Sequence, residues 1–199
     1  NLCEKSGVNI EDISLGMGSD SRIGGRFLRA GPAYGGSCFP KDTKGLVSAA
    51  EKYKINLSVV KSVIKSNQER VNLLTKRVHK ILGSNLKNKK ISFLGVTFKP
   101  NTDDMRDSSS LKMIPYLCKK GAKVRYYDPS GEKNEFKKIK NCYYRNNIKS
   151  NCNDTDLVVL LTEWDEFKSI DFKKIVKNNK FQVYDLRNLY SAEEMKKNK

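Results

Sequence analysis

The chain has 199 residues, which is long enough for one large domain or two small ones. Its formal net charge of +17 is typical of proteins that bind nucleic acid or an anionic surface. The lysines, however, are spread through predicted helices and turns, and no recognised nucleic-acid module surrounds them. We therefore expect solvated basic faces and no nucleic-acid partner. The single histidine argues against a zinc site and against a cysteine protease, which needs a histidine base.

The sequence shows no signal peptide and no apolar run long enough to cross a bilayer. Its five cysteines are odd in number and include no Cys-x-x-Cys pair. These features predict a cytoplasmic protein in a reducing compartment, without a membrane partner. The chain starts at Asn1 without a methionine, at what reads as the middle of a helix, and this predicts a fragment of a longer protein.

Residues 1–85 have a mainly helical pattern. Apolar residues repeat at helical spacing after Pro40, which suits the first position of a helix because it has no N–H to leave unpaired. A second series alternates steps of four and three from Val60 to Ile81, with Asn67 as its one polar member. Such a heptad seam predicts a long helix packed along a partner, either within this chain or in a second chain.

One cysteine lies between a glycine-rich loop and the predicted helix at Pro40. The partial positive charge of a helix N-terminus favours a thiolate at Cys38, and Lys41 would add to this effect if it faces the sulfur. A lone cysteine is more often a small buried apolar residue. The glycine loop and the Cys-x-x-x-Asp spacing to Asp42 favour a reactive thiol, although an acidic residue in a first helical turn is also favourable for structural reasons alone.

Residues 86–199 alternate strand-like and helical patterns. Apolar runs at 90–96, 122–128, 156–162 and 181–185 predict strands, and a helix is predicted from 108–110 to Gly121, with Pro115 causing a kink or a later start. The alternation predicts a parallel sheet with ligands beyond the carboxyl ends of the strands, hence an α/β fold. No Gly-x-Gly-x-x-Gly follows a strand, so the nicotinamide-binding fingerprint is absent. Four residues at the carboxyl ends form a candidate anion site: Phe98, Lys99, Arg106 and Arg187.

Two long motifs resemble UDP-glucose 6-dehydrogenases. The first consists of Asp20–Gly24, Phe27–Gly31 and Gly35–Asp42, and it is similar to the family's active-site segment. The second, Ser92–Ser109, is similar to the family's nucleotide-sugar-binding segment. The resemblance covers most of the chain and is weakest over residues 132–151. It implies a helical central, dimerisation region with the catalytic cysteine loop (1–85), a Rossmann-like UDP-sugar-binding domain (86–199) and an NAD-binding domain upstream.

The resemblance also implies a reaction, in which UDP-glucose is oxidised twice by NAD to give UDP-glucuronate. The aldehyde formed first would be captured by Cys38 as a thiohemiacetal, and a second hydride transfer would give a thioester that water hydrolyses. Asp42 would assist proton movement and activate that water. Covalent capture would divide a difficult oxidation into easier steps.

The remaining roles follow from the resemblance position by position. Lys41 and Arg106 would approach NAD, Arg22 would reach the neighbouring subunit's site, and the long helix would form a homodimer. GDP-mannose remains an alternative substrate, and the isolated chain could instead be a non-catalytic nucleotide-sugar-binding dimerisation module. The implied substrate-binding residues are Arg22, Phe27, Leu28, Arg29, Ala30, Gly31, Pro32, Ala33, Tyr34, Gly35, Phe98, Lys99 and Arg187.

Overall fold

The computed structural model describes residues 2–197, except for the side chains of three residues near the carboxyl terminus, Ala192, Lys196 and Lys197. The chain divides into a first unit that ends at Gly31 and a second unit that begins at Pro32. The first unit contains helix α1 (Leu2–Ser6) and helix α2 (Ile10–Gly18). No helix in the described part of the chain is both long enough and apolar enough to span a membrane.

The second unit begins with a short loop that leads into two helices, α3 (Cys38–Lys52) and α4 (Ser58–Leu82). The prediction that Pro40 would open α3 is wrong by two residues, because the helix begins at Cys38. Proline is tolerated there since the N–H groups of a first turn have no intrahelical acceptor. Cys38 is therefore the first residue of the helix and does not precede it.

The heptad seam of α4 changes its environment along the helix. Val71, Leu74 and Val78 are buried in the core of the sheet domain, whereas Val60 and Ile64 are only half-buried. The second half of the seam is thus satisfied within the chain.

A five-stranded parallel sheet forms the centre of the second unit, in the order β3-β2-β1-β4-β5. The strands are β1 (Lys90–Leu94), β2 (Lys123–Tyr127), β3 (Cys142–Tyr144), β4 (Leu157–Leu160) and β5 (Gln182–Asp185). The predicted α/β class and four predicted strands are confirmed. The edge strand β3 was missed because its three residues, Cys-Tyr-Tyr, form no apolar run within a segment rich in lysine and asparagine.

Helices cover both faces of this sheet. Helix α5 (Ser110–Lys119) packs together with α4 on one face, and α6 (Ile148–Cys152) and α7 (Phe172–Ile175) pack on the other. Helix α8 (Ala192–Lys197) follows β5 in the chain. Helix α5 begins at Ser110, which confirms the predicted start at 108–110, and Pro115 lies inside it, so of the two alternatives for this proline the later start is wrong. The five-residue helix α6 was missed, since it is too short to show a helical period.

Each central strand is buried on both faces because successive side chains point to opposite sides. In β1, Ile91 and Phe93 join one core with α4 and α5, while Leu94 joins the second core on the opposite face. In β4, Val159 and Leu160 divide between the two cores in the same way. This packing fixes the carboxyl edge of the sheet, where the candidate site lies.

Candidate active site

The strand order places a crevice beyond the carboxyl ends of β1 and β4, the position where open parallel sheets bind ligands. Gly95, directly after β1, has a φ of +77°, and a Cβ there would lie 2.5 Å from the Cβ of Thr162. The hydroxyl of Thr162 donates to the carbonyl oxygen of Thr97 at 2.6 Å. The segments that follow the two strands are therefore joined directly.

Asp128, the first residue after β2, holds the chain that follows β1. It is fully buried, and its carboxylate accepts hydrogen bonds from the backbone N–H groups of Val96 (2.7 Å), Thr97 (3.2 Å) and Ser130 (3.0 Å). In a dinucleotide-binding sheet an acidic residue near this position contacts a ribose hydroxyl. Here it bonds to the protein's own backbone, a role that the sequence analysis missed, although an acid between a strand and a Pro-Ser-Gly turn was a visible signal.

Two buried serines fix the other end of the loop between β1 and α5. The hydroxyls of Ser108 and Ser110 both donate to the carbonyl oxygen of Val96 at 2.6 Å. Within the loop, the N–H of Phe98 donates to the carbonyl oxygen of Asp104 at 3.3 Å. Residues 96–110 are thus anchored at both ends against the sheet.

Arg187, after β5, bridges the carboxyl edge of the sheet. Its Nη2 donates to the carbonyl oxygen of Phe98 and its Nε to that of Leu161, both at 2.9 Å, and Nε lies 2.8 Å from a carboxylate oxygen of Glu163. The side chain is only 14% exposed; burial lowers the pKa of Arg187, while the charges of Glu163 and Asp185 act in the opposite direction. A phosphate at this site would meet an arginine whose charge is already shared with Glu163.

Asp185 shapes the turn that carries Arg187. Its carboxylate accepts hydrogen bonds from the N–H groups of Arg187 (2.8 Å), Leu189 (2.6 Å) and Tyr190 (3.1 Å). Burial raises the pKa of Asp185, and these backbone hydrogen bonds partly offset that rise. The turn is therefore held by a carboxylate that the sequence analysis regarded only as the end of a strand.

The glycine loop, residues 32–36, packs directly on the loop between β1 and α5. The N–H of Gly36 donates to the carbonyl oxygen of Arg106 at 2.7 Å. A Cβ on Gly35 would lie 2.6 Å from the carbonyl oxygen of Asp107, and a Cβ on Gly36, whose φ is +84°, would lie 2.7 Å from the ring of Phe98. The glycines are needed for this contact between the two predicted motifs, a role that the sequence analysis missed.

Cys38, Lys41 and Asp42 lie exposed at the amino-terminal end of α3; because the helix begins at Cys38, Asp42 lies beyond its first turn, and the expected place of this acidic residue in a first turn is wrong. The Sγ of Cys38 is 3.6 Å from the hydroxyl of Ser37, and Asp42 lies one helical turn further on the same face. The ammonium of Lys41 is 3.6 Å from the carboxylate of Asp42. The start of α3 therefore presents a thiol, a carboxylate and an amine to solvent.

Arg106 is the cation that the fold brings close to the thiol. Its guanidinium pairs with Asp104, with Nη2 2.8 Å from Oδ2. The pKa of Arg106 is raised mainly by Asp104, and the charge of Cys38 adds to this rise. Lys99 lies nearby in sequence, exposed, with its ammonium 5.5 Å from the centre of the Phe98 ring.

The other predicted loop residues line the contact between the glycine loop and the sheet. Pro32 is buried and Ala33 is half-buried, and the backbone N–H and carbonyl oxygen of Tyr34 form hydrogen bonds with the side-chain amide of Asn67 in α4. A cavity of about 10 Å³, large enough for one water molecule at most, lies among Pro32, Gly35 and Arg187.

Six of the predicted substrate-binding residues lie in the first unit. Arg22 pairs with Asp20, with Nη2 2.6 Å from Oδ2, and Phe27 is 85% exposed. The carbonyl oxygen of Leu28 accepts a hydrogen bond from the hydroxyl of Ser14. The others range from half-buried to exposed, namely Arg29, Ala30 and Gly31.

Two domains of one protein family match this chain. The UDP binding domain of the UDP-glucose/GDP-mannose dehydrogenase family matches residues 92–192, and the central domain of the same family matches residues 1–69. UDP-glucose 6-dehydrogenase of Rhizobium meliloti is 41% identical over 197 residues, covering 98% of this chain and 45% of the relative. The enzyme of Rickettsia felis is 43% identical over 199 residues, covering 98% of this chain and 44% of the relative.

Among solved structures, a UDP-glucose dehydrogenase from the archaeon Pyrobaculum islandicum superimposes with a TM-score of 0.83 at 27% identity. That match covers 96% of this chain and 43% of the archaeal chain. The chain thus spans less than half the length of these relatives. Because one family domain alone matches half of its length, the chain belongs to the UDP-glucose/GDP-mannose dehydrogenase family.

Proposed function

We propose that this chain carries the nucleotide-sugar site and the reactive thiol of an NAD-dependent UDP-glucose 6-dehydrogenase. The observation that carries the proposal is the packing of the glycine loop on Phe98 and Asp107, which joins the loop before Cys38 to the UDP-binding domain. The names of the relatives at 41% and 43% identity support UDP-glucose over GDP-mannose as the substrate.

Cys38 is the proposed nucleophile. Its sulfur adds to the carbonyl carbon of the C6 aldehyde, and the carbonyl oxygen takes up a proton to give a thiohemiacetal. Loss of a hydride from that carbon and of the hydroxyl proton gives a thioester. Water then adds to the thioester, the thiolate leaves and the C6 carboxylate remains. The exposed position of Cys38 at the start of α3 and the positive charge of Arg106 support this role.

Asp42 is the proposed general base for the attacking water. Residues four apart on a helix are neighbours on one face, so the carboxylate can reach a water bound beside the sulfur of Cys38. The ammonium of Lys41, 3.6 Å from the Asp42 carboxylate, would orient that carboxylate.

NAD would accept the two hydrides. The described residues fit this coenzyme in part. Lys41 and Arg106 are exposed cations beside the thiol, and they could hold the phosphates of NAD. The buried Asp128, however, is already bonded to backbone and cannot bind a ribose. The sheet of this chain is therefore proposed to bind the nucleotide sugar, through Phe98, Lys99 and Arg187 together with the loop residues 29–35 and with Phe27 and Leu28.

A homodimer through α3 and α4 belongs to the same proposal, with Arg22 contributed to the partner's site. Its support is a set of large apolar side chains that these helices leave exposed: Leu46, Tyr53, Val59 and Val63. Sedimentation of the chain should show a dimer, and Val59→Glu should weaken it. A wild-type monomer at every concentration would refute this part of the proposal.

Calorimetric titration of the chain with UDP-glucose, with GDP-mannose as the comparison ligand, tests the substrate. We expect saturable binding of UDP-glucose and at least tenfold weaker binding of GDP-mannose. The reverse preference would retain the thiol chemistry and overturn the substrate. If neither ligand binds to the complete gene product, the function itself is wrong.

A further inference from the structure

Asn67 is the polar member of the α4 seam, and both polar atoms of its side chain form hydrogen bonds with the glycine loop. Its Oδ1 accepts a hydrogen bond from the backbone N–H of Tyr34 at 2.9 Å, and its Nδ2 donates to the carbonyl oxygen of Tyr34 at 3.0 Å. A single side-chain amide thus satisfies both backbone groups of one loop residue. This pairing connects residues that are 33 positions apart in sequence.

A polar residue in a heptad seam often sets register by pairing with its copy in a dimer. That interpretation does not fit here, because Oδ1 and Nδ2 of Asn67 are both directed at Tyr34 of the same chain. The half-buried environment of Asn67 strengthens these bonds relative to exposed ones. The polar position in the seam is therefore explained by the loop and not by a second chain.

Packing alone does not fix the loop at this point. A cavity of about 160 Å³ lies between the loop and helices α3, α4 and α5, with Tyr34, Pro40, Asn67 and Ser109 in its lining. A cavity of this size leaves the glycine loop room to move into it. The two hydrogen bonds from Asn67 oppose that movement, while Gly36 anchors the opposite side through Arg106.

Tyr34 also contacts the helix that carries the thiol. The ring of Tyr34 lies against that of Phe39, with centroids 5.7 Å apart, and Phe39 follows Cys38 directly. Displacement of Tyr34 would therefore disturb both the substrate-binding loop and the first turn of α3.

We propose that Asn67 is a positioning residue that sets the conformation of the glycine loop, and through it the reactivity of Cys38 and the affinity for the nucleotide sugar. The affinity part of this inference rests on the proposed function. The part that concerns loop conformation and thiol reactivity does not, since it can be measured without a substrate.

The test compares two variants. Asn67→Leu introduces an apolar residue of similar size into the seam, and Asn67→Asp keeps the acceptor for the Tyr34 N–H. Gln68→Leu is the matched control, because Gln68 lines the same cavity and its removal leaves both Asn67 bonds in place. All four proteins are first compared by thermal unfolding. Backbone hydrogen exchange at Tyr34 and the rate of Cys38 alkylation by iodoacetamide are then measured without ligand.

For Asn67→Leu we expect at least tenfold faster exchange at Tyr34, an altered alkylation rate at Cys38 and about tenfold weaker UDP-glucose binding. The melting temperature should fall by a few degrees, because the N–H and the carbonyl oxygen of Tyr34 both lose their partner. Asn67→Asp should retain the protection of the Tyr34 N–H and recover part of the affinity. Gln68→Leu should match the wild type in every measurement.

Unchanged exchange at Tyr34 in Asn67→Leu would overturn the inference. Faster exchange with unchanged alkylation and unchanged affinity would also overturn it, because Asn67 would then have only a local structural role. Failure of the wild type to bind UDP-glucose would instead count against the proposed function, and exchange and alkylation would still decide the role of Asn67.

Discussion

The polar groups at the carboxyl edge of the sheet and those at the start of α3 differ in how many hydrogen bonds they make. Asp128 is fully buried and accepts three backbone hydrogen bonds of 2.7–3.2 Å, and Arg187 bonds to two carbonyl oxygens and a carboxylate. Cys38 and Asp42 are exposed, with contacts of 3.6 Å to Ser37 and Lys41 respectively. The buried groups hold the backbone in place, and the exposed groups remain available to react.

This division predicts which substitutions affect activity and which affect folding. Loss of a buried polar partner leaves unsatisfied groups that destabilise the protein. Loss of an exposed reactive group leaves packing unchanged, and only the chemical step suffers. The predictions below test that separation.

The largest effect is expected for Cys38→Ser. In the complete gene product, assayed with UDP-glucose and NAD, formation of UDP-glucuronate should fall on the order of 1,000-fold or more, because serine is not deprotonated at neutral pH. The melting temperature and UDP-glucose affinity should remain close to those of the wild type. Cys3→Ser, which removes a half-buried thiol in the first unit, is the control and should retain activity. An active Cys38→Ser protein would remove the thioester from the mechanism.

Asp128→Asn should have the second-largest effect, and on stability. An asparagine presents an NH2 group to one of the backbone donors, so we expect the free energy of unfolding to fall by about 3 kcal/mol. Urea unfolding provides the measurement. Asp103→Asn removes the same charge from an exposed position in the neighbouring loop and should stay within about 0.5 kcal/mol of the wild type. Equal losses in the two variants would mean that charge, and not the buried hydrogen bonds, determines stability.

The sequence predicted much of this architecture because its signals are local. Apolar runs marked β1, β2, β4 and β5, and helical spacing marked α3 and α4. The short elements β3 and α6 escaped because three and five residues do not establish a period. The sequence did not predict that the backbone of Gly36, in the first motif, packs on the ring of Phe98 in the second.

What the sequence could not reveal were the partners of polar residues. The Asp-Pro-Ser-Gly sequence marks Asp128 as a turn residue, but nothing local shows that it also bonds to the backbone after β1, 31–32 positions away, or that Asn67 holds Tyr34. Arg187 was expected to bind an anion, yet its pairing with Glu163 depends on two strand ends meeting at one edge. Such contacts arise from tertiary packing, so a pattern within one element contains no signal of them.

A smaller effect is expected for Gly35→Ala, which tests the junction between the loop and the sheet. The new Cβ would lie 2.6 Å from the carbonyl oxygen of Asp107, and backbone must move to relieve the clash. We expect a loss of about 2 kcal/mol in the free energy of unfolding, with weaker UDP-glucose binding. Gly45→Ala in α3 meets no atom within 4 Å and should stabilise the protein by about 0.5–1 kcal/mol. A Gly35→Ala protein with wild-type stability would show that the loop is not tightly packed.

The smallest effect concerns pH and compares two half-buried carboxylates, Asp104 and Asp185, whose pKa values shift in opposite directions. Hydrogen bonds from the Arg106 side chain lower the pKa of Asp104 below the ordinary value of 3.8. The unfolded chain therefore binds this proton more readily, so the stabilisation is present above pH 3.8 and is lost as the pH falls through the folded pKa. Burial raises the pKa of Asp185, and its contribution has the opposite sign, because stability declines as the pH rises from 3.8 through its folded pKa.

Unfolding free energies of the wild type and Asp104→Asn, measured between pH 2.5 and pH 7 in steps of about half a unit, resolve these two contributions. The difference between the two proteins should be constant near neutrality and should shrink below pH 3.8, where Asp104 in the wild type also becomes uncharged. The decline that Asp185 causes should persist in both proteins, since the substitution leaves the turn after β5 unchanged. A difference that grows on acidification would reverse the sign assigned to Asp104, and would mean that Arg106 does not stabilise the charged carboxylate in the folded chain.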